Sequence, residues 1–246
     1  MLFLKTLWRR CSRRQLILAL DTSGSRCGVA LWEKNLLGYV ESDSSLRHDE
    51  VLLGQIQELL EQHKINPQGL SAIAVSSGPG SFTGLRVGMA TAKGLCWTWN
   101  LPLICVGTLE ALAASVPARL GRTLTLMPAR AREVYWRLHE HRAEGWVALG
   151  NCSASDISAL PDAISGNVFL CGEGYQRHRE DFDQLFGSRR LTLSANEMLE
   201  PLVVSTARLA ARRLAAGQFD DLMRAEPEYH YPFPAKGNLP SAAIGK

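Results

Sequence analysis

The sequence predicts an α/β protein of two tandem domains, each a mixed sheet with flanking helices, the second domain reduced. Three observations carry this. Three short strand-like runs open the chain, too close together to pair except as antiparallel hairpins. Helical and strand patterns then alternate to about residue 115. After Val116-Pro117 a second set of paired strands begins.

Taken in order, residues 16–20 (LILAL) read as a buried strand that ends in the turn Asp21-Thr22-Ser23-Gly24-Ser25. Residues 27–32 and 36–41 complete the first meander. An amphipathic helix over 46–63 follows, capped by Ser44 or Ser45, with Val51, Leu52, Ile56, Leu59 and Leu60 as its apolar stripe. A short apolar strand at 72–76 leads into a glycine-rich loop that opens a helix over 84–98. The next strand is 103–106, and Thr108 caps a helix that runs to about 115 with Glu110 in its first turn.

In the second half, 123–127 and 133–139 pair about a turn near Ala129-Arg130, and 146–149 adds a third strand. Residues 168–171 run into Gly172-Glu173-Gly174. A helix over 199–216 stops at Gly217, and the segment from Pro227 to Pro240 is extended. The domain bounds that follow are 15–117 and 118–236, with an extension at 1–14 and a tail at 237–246.

The 246 residues allow a core that needs no staples, and 46% apolar with 21% charged residues is ordinary for a globular chain. No apolar run approaches the roughly 20 residues of a membrane helix, so no membrane association is expected. The net charge is +3, yet Lys5, Arg9, Arg10, Arg13 and Arg14 all lie in the first fourteen residues. Without those five charges the rest carries −2, a poor surface for gripping nucleic acid unaided. The opening segment lacks the order of a secretory signal, since its charges follow a short apolar part; it reads as a disordered extension. The six cysteines include no C-x-x-C pair and read as reduced thiols of a cytoplasmic protein.

Three segments resemble one family: LALDTSGSRCGVALW (18–32), SSGPGSFTGLRVGMATAKGL (76–95) followed by LPLICVGTLEALA (101–113), and REVYW (132–136). They resemble the TsaB (YeaZ-like) family of bacterial tRNA modification, densest at Gly78-Pro79-Gly80-Ser81-Phe82-Thr83-Gly84-Leu85-Arg86. The resemblance implies two actin-like, ribonuclease H-like domains. It implies a non-catalytic subunit that pairs with the catalytic paralogue TsaD and, with the ATPase TsaE, supports threonylcarbamoylation of the adenosine beside the anticodon. Contact with tRNA is expected only through that complex, a homodimer when the chain is alone, no intrinsic cofactor, and ATP or ADP at the shared interface.

The residues speak to catalysis independently. Asp21, Thr22, Ser23 and Gly24 could form a vestigial phosphate loop; equally, Asp21 and Thr22 could close the hairpin through side chain–backbone hydrogen bonds. The corresponding turn in the second half is Met127-Pro128-Ala129-Arg130, where relatives carry Ile-Asp-Ala-Arg. Pro128 removes a carboxylate and an N–H donor, so a two-sided phosphate clamp is not expected. His48 lacks a second histidine four residues on, where Leu52 stands, and His139 and His141 read as exposed strand residues, so no metal site is expected. The glycine-rich loop is not a P-loop, and Arg86 in its helix's first turn calls for an acidic partner. The rival reading is an actin-fold nucleotide-binding enzyme in its own right. For the accessory role, the helices over 46–63 and 84–98 offer a docking face, with Val51, Gln55, Gly84, Gly88, Met89 and Lys93 as its expected members.

Overall fold

The computed structural model describes residues 15–43, 48–193 and 199–230; the extension at 1–14, the cap at Ser44 or Ser45, the His48 side chain and the tail beyond 230 lie outside them. The chain forms two five-stranded sheets. The first comprises β1 (Ile17–Asp21), β2 (Arg26–Trp32), β3 (Leu36–Asp43), β4 (Ala72–Gly78) and β5 (Leu103–Gly107) in the order β3-β2-β1-β4-β5. The hairpins β1–β2 and β2–β3 are antiparallel, as their short connections demand, while β4 and β5 join in parallel through helical crossovers.

The second sheet repeats the plan. Strands β6 (Arg122–Pro128), β7 (Glu133–Arg142), β8 (Gly145–Asp156), β9 (Val168–Cys171) and β10 (Arg190–Leu191) lie in the order β10-β9-β6-β7-β8, again an antiparallel meander joined to parallel strands. Both domains are therefore ribonuclease H-like. The reduction falls on the helices of the second domain, not on its strands. Its α4 (Leu160–Ala163), α5 (Glu173–Arg177) and α6 (Arg179–Phe186) are short beside α1 (His48–Gln62) and α2 (Phe82–Trp99) of the first.

β1 is buried on both faces, which explains its unbroken apolar run. On one face Leu18 and Leu20 meet Leu52, Ile56 and Leu59 of α1 and Met89, Ala92 and Cys96 of α2. On the other, Ile17 and Ala19 meet Val203, Val204, Ala207, Ala210 and Leu214 of α7 (Leu202–Ala215). This corrects the expected boundary: the helix over 199–216 belongs with the first sheet, not with the 118–236 domain. Its apolar stripe specifies burial but not the sheet that receives it.

The chain then straps across the first domain. Asp220 bridges to Leu103 and accepts from the Cys105 amide at 2.7 Å, Leu222 and Ala225 join the core, and the Glu228 amide donates to the Ser77 carbonyl at 2.7 Å. Between the domains, Leu109, Leu112 and Val116, in or just after α3 (Thr108–Ala114), pack on Met127, Phe169 and Cys171.

Two local expectations change. Thr108 does not cap α3: Gly107 holds that position without a side-chain bond, and the Thr108 hydroxyl is buried without a hydrogen-bond partner. His139 is not exposed but 1% accessible, inside the second domain; His141 is half-buried and edge-on to Trp146, with ring centroids 5.2 Å apart. Residue 139 shares with Tyr135 the face of β7 that α3 covers, and its Nδ1 lies 3.5 Å from the Thr125 hydroxyl.

Candidate functional site

The turn after β1 and the glycine-rich loop form one unit. Asp21 is buried and its Oδ1 accepts from the Ser23 amide at 3.2 Å and hydroxyl at 2.7 Å. The Thr22 hydroxyl donates to the Gly84 carbonyl at 2.7 Å. The Ser81 amide donates to the Ser23 carbonyl at 2.7 Å, and a Cβ on Gly80 would overlap that same carbonyl. Ser81 caps α2, accepting from the Gly84 amide at 3.2 Å. Gly80 and Gly84 are thus required by close backbone approach to the turn, and Gly78, at φ +122°, by approach to the Glu228 carbonyl.

Among the described residues Arg86 has aromatic rather than acidic partners. Its guanidinium lies 3.8 Å from the centre of the Phe82 ring, and its Nε donates to the Tyr229 hydroxyl at 2.9 Å. The strap therefore ends on the glycine-rich loop, where Phe82 and Tyr229 also meet at 5.4 Å.

Across the cleft, Pro128 closes β6 and the following turn bonds to itself: the Ala129 amide donates to Glu133 and the Glu133 amide to Arg130. Glu173 reaches over from the second domain. Its Oε1 accepts from the Ser25 amide at 2.6 Å and from the Ser25 hydroxyl at 2.7 Å. Glu173 had no place among the residues singled out from sequence; its contact spans 148 positions and no local pattern announces it.

Two cavities flank this bridge. One of about 970 Å³ is lined by Asp21, Glu41, Asp43, Glu173 and Glu200, with Arg26 as its basic residue. Arg26 is paired with Glu41 at 3.2 Å. Burial raises the Asp21 pKa against the hydrogen bonds of Ser23 and Ser76, and burial, reinforced by the Asp21 charge, raises that of Glu41. A cavity with this lining opposes a polyphosphate. The other, about 510 Å³, lies among Ser23, Gly80, Ser81, Pro128, Arg130 and Tyr135. Among the described residues, no group of three or more His, Cys, Asp or Glu side chains could hold a metal ion. The thiols of Cys96, Cys105 and Cys171 are pushed up to about 12 by burial, so they are protonated and poor nucleophiles at neutral pH.

The expected docking face requires correction. Gln55 is 5% exposed and donates to the Ser42 hydroxyl at 2.9 Å; Met89 is 3% exposed in the core. Gly84 and Gly88 face Thr22, where a Cβ would overlap its carbonyl and hydroxyl oxygens, so this stripe packs inward. Val51 is half-buried, and Lys93 is spent on the strap, donating to Ala225 at 3.0 Å and Met223 at 3.3 Å. The outward stripe is a different phase of the same helices. It comprises Leu53 (55% exposed), Gly54 and Gln57 on α1, and Ala90, Gly94 and Trp97 (74% exposed) on α2. A Cβ on Gly54 or Gly94 would meet no atom of the described residues within 4 Å. A search for solvent-facing glycines, rather than for small-residue spacing alone, would have found it.

The family model described as TsaD, tRNA N6-adenosine threonylcarbamoyltransferase, matches residues 33–162, over half of the chain. A TsaB protein of Buchnera aphidicola subsp. Baizongia pistaciae is 32% identical over 152 residues, covering 60% of this chain and 69% of that protein. The chain belongs to the TsaB family. The Escherichia coli K12 TsaB is 29% identical over 222 residues, covering 87% of this chain and 93% of the relative. These relatives bear the name tRNA threonylcarbamoyladenosine biosynthesis protein TsaB. A solved structure of YeaZ from Pseudomonas aeruginosa superposes with a TM-score of 0.71 at 24% identity, covering 87% of this chain and 99% of that one. That likeness shows a shared fold. Among the described residues no helix is long and apolar enough to cross a membrane.

Proposed function

We propose that the chain is a non-catalytic subunit of cytoplasmic tRNA threonylcarbamoyladenosine synthesis, acting on the adenosine beside the anticodon through a TsaD-like catalytic partner. The observation that carries this reading is the outer face of α1 and α2. Leu53 and Trp97 are open to solvent there beside Gly54 and Gly94, two glycines inside long helices with nothing above them. Each glycine costs about 1 kcal/mol relative to alanine, a cost that closely approaching partner helices would offset. The relatives' name supports the pathway, and the chain's own match to a transferase family model supports a paralogue of similar fold as the partner.

The accessory role accords with the cleft. The first phosphate-loop position is filled by Glu173, and the second carries Pro128. Any ATP or ADP that the assembly uses is accordingly assigned to the shared interface and to a TsaE-like ATPase, and tRNA to the complex as a whole.

Reconstitution tests this. The chain is mixed with a TsaD and a TsaE, and threonylcarbamoylation of tRNA is measured with the chain present and omitted. We expect modification to require the chain, co-elution with TsaD on size exclusion, and no activity of the chain alone. Trp97→Asp should abolish co-elution while leaving the fold intact by circular dichroism. A chain that is dispensable and elutes apart from TsaD, as monomer or homodimer, overturns the reading.

A further inference from the structure

We infer that the turn Gly24–Ser25 is a binding site for a single carboxylate or oxyanion, and that Glu173 is its resident ligand, held in cis to close the cleft. Two donors of one residue, the Ser25 amide and hydroxyl, converge on Glu173 Oε1 at 2.6 and 2.7 Å. Such distances belong to charge-assisted hydrogen bonds. Gly24 completes the seat: a Cβ there would overlap the Glu173 carboxylate.

The second domain is shaped to deliver this group. Gly172 has φ +103°, and a Cβ on it would overlap the Leu126 carbonyl. A Cβ on Gly174 would stand 3.0 Å from the Leu126 carbonyl carbon and 3.1 Å from that of Met127. Glycine on both sides lets the chain lie against β6, which leaves Glu173 as the one side chain of the triplet, extended across the cleft. Glu173 and the Gly24–Ser25 turn line both the 970 Å³ and the 510 Å³ cavities. The bridge is therefore the wall that divides one interdomain cleft into two. It is also a polar junction separate from the apolar one made by Leu109, Leu112 and Val116.

The ligand class follows from the seat. One N–H and one O–H donor suit one small anion rather than a polyphosphate, and Asp21 and Glu41, which line the adjoining cavity, disfavour additional negative charge. This inference is independent of the proposed partner and pathway.

The experiment is chemical rescue of the full chain. Glu173→Ala retains Cβ and removes a fragment the size of acetate. We expect a Tm lower by a few degrees, a larger radius of gyration by small-angle scattering, and reversal of both by sodium acetate but not by sodium chloride at equal ionic strength. Wild type should not respond to acetate. Gly24→Ala should lower Tm similarly without rescue, since the new methyl fills the seat, and Glu173→Gln should fall between, keeping an acceptor without the charge. An unchanged Tm and radius in Glu173→Ala, or an acetate response equal to that of wild type or of Gly24→Ala, overturns the inference.

Discussion

The Thr22 hydroxyl donates to the Gly84 carbonyl at 2.7 Å, and the same hydroxyl oxygen would overlap a Cβ on Gly88. One side chain at the end of β1 thus fixes the seating of α2. Gly84→Ala and Gly88→Ala should each destabilise the chain by roughly 1–3 kcal/mol through overpacking. Urea titration checks this as a lower midpoint at unchanged slope.

Gly54 and Gly94 should behave in the opposite way. With open space above both, Gly54→Ala and Gly94→Ala should stabilise the isolated chain by about 1 kcal/mol each, from helix propensity alone. Thermal denaturation reads this gain. In the proposed role the same changes should weaken co-elution with TsaD, so stability and partner affinity would move apart.

His139 sets an acid limit. Burial first, then the Arg137 charge, lowers its pKa from 6.5 to about 4. The folded state therefore holds a neutral imidazole where the unfolded chain takes up a proton. The resulting stabilisation is complete above pH 6.5 and is lost as pH falls toward 4, by about 3 kcal/mol at the extreme. His139→Leu should flatten the stability curve over that window. The Thr125 hydroxyl keeps its bond to the Arg137 carbonyl at 3.1 Å in that variant.

Asp21 has the reverse sign. Its carboxyl is raised above 3.8 by burial, so the folded state holds the proton more tightly, and this contribution is lost as pH rises through the folded pKa. Asp21→Asn keeps an acceptor for Ser23 and removes the buried charge. It should raise Tm at pH 7 and lose that advantage in acid, where Asp21 is itself protonated.

Much of this architecture was legible because it is local. Hairpins follow from short connections, and helices from their apolar stripes; 84–98 was expected against Phe82–Trp99 observed, and 108–115 against Thr108–Ala114. Gly217 does end its helix, with φ +69° and its amide donating to the Leu214 carbonyl at 3.0 Å. Periodicity gives a face but not its destination. This is why Gly84 and Gly88 were assigned to a partner when they serve Thr22, and why α7 was placed in the wrong domain. β8 runs on to Asp156, beyond the expected 149, because its polar residues follow β7 through backbone pairing instead of an apolar pattern. The cleft residue Glu173 was missed because its seat lies on a distant turn.

The return of α7 to the first sheet has a consequence for synthesis. Ile17, Ala19, Ala74 and Val106 are made before the second meander, yet their cover, Val203 to Leu214, is made after it. A nascent chain that has completed both meanders still presents one apolar sheet face to the ribosome's surroundings, a state open to chaperones and to misassembly. The first sheet is thus sealed only after the second has been made. Products terminated before Val203 would carry that open face.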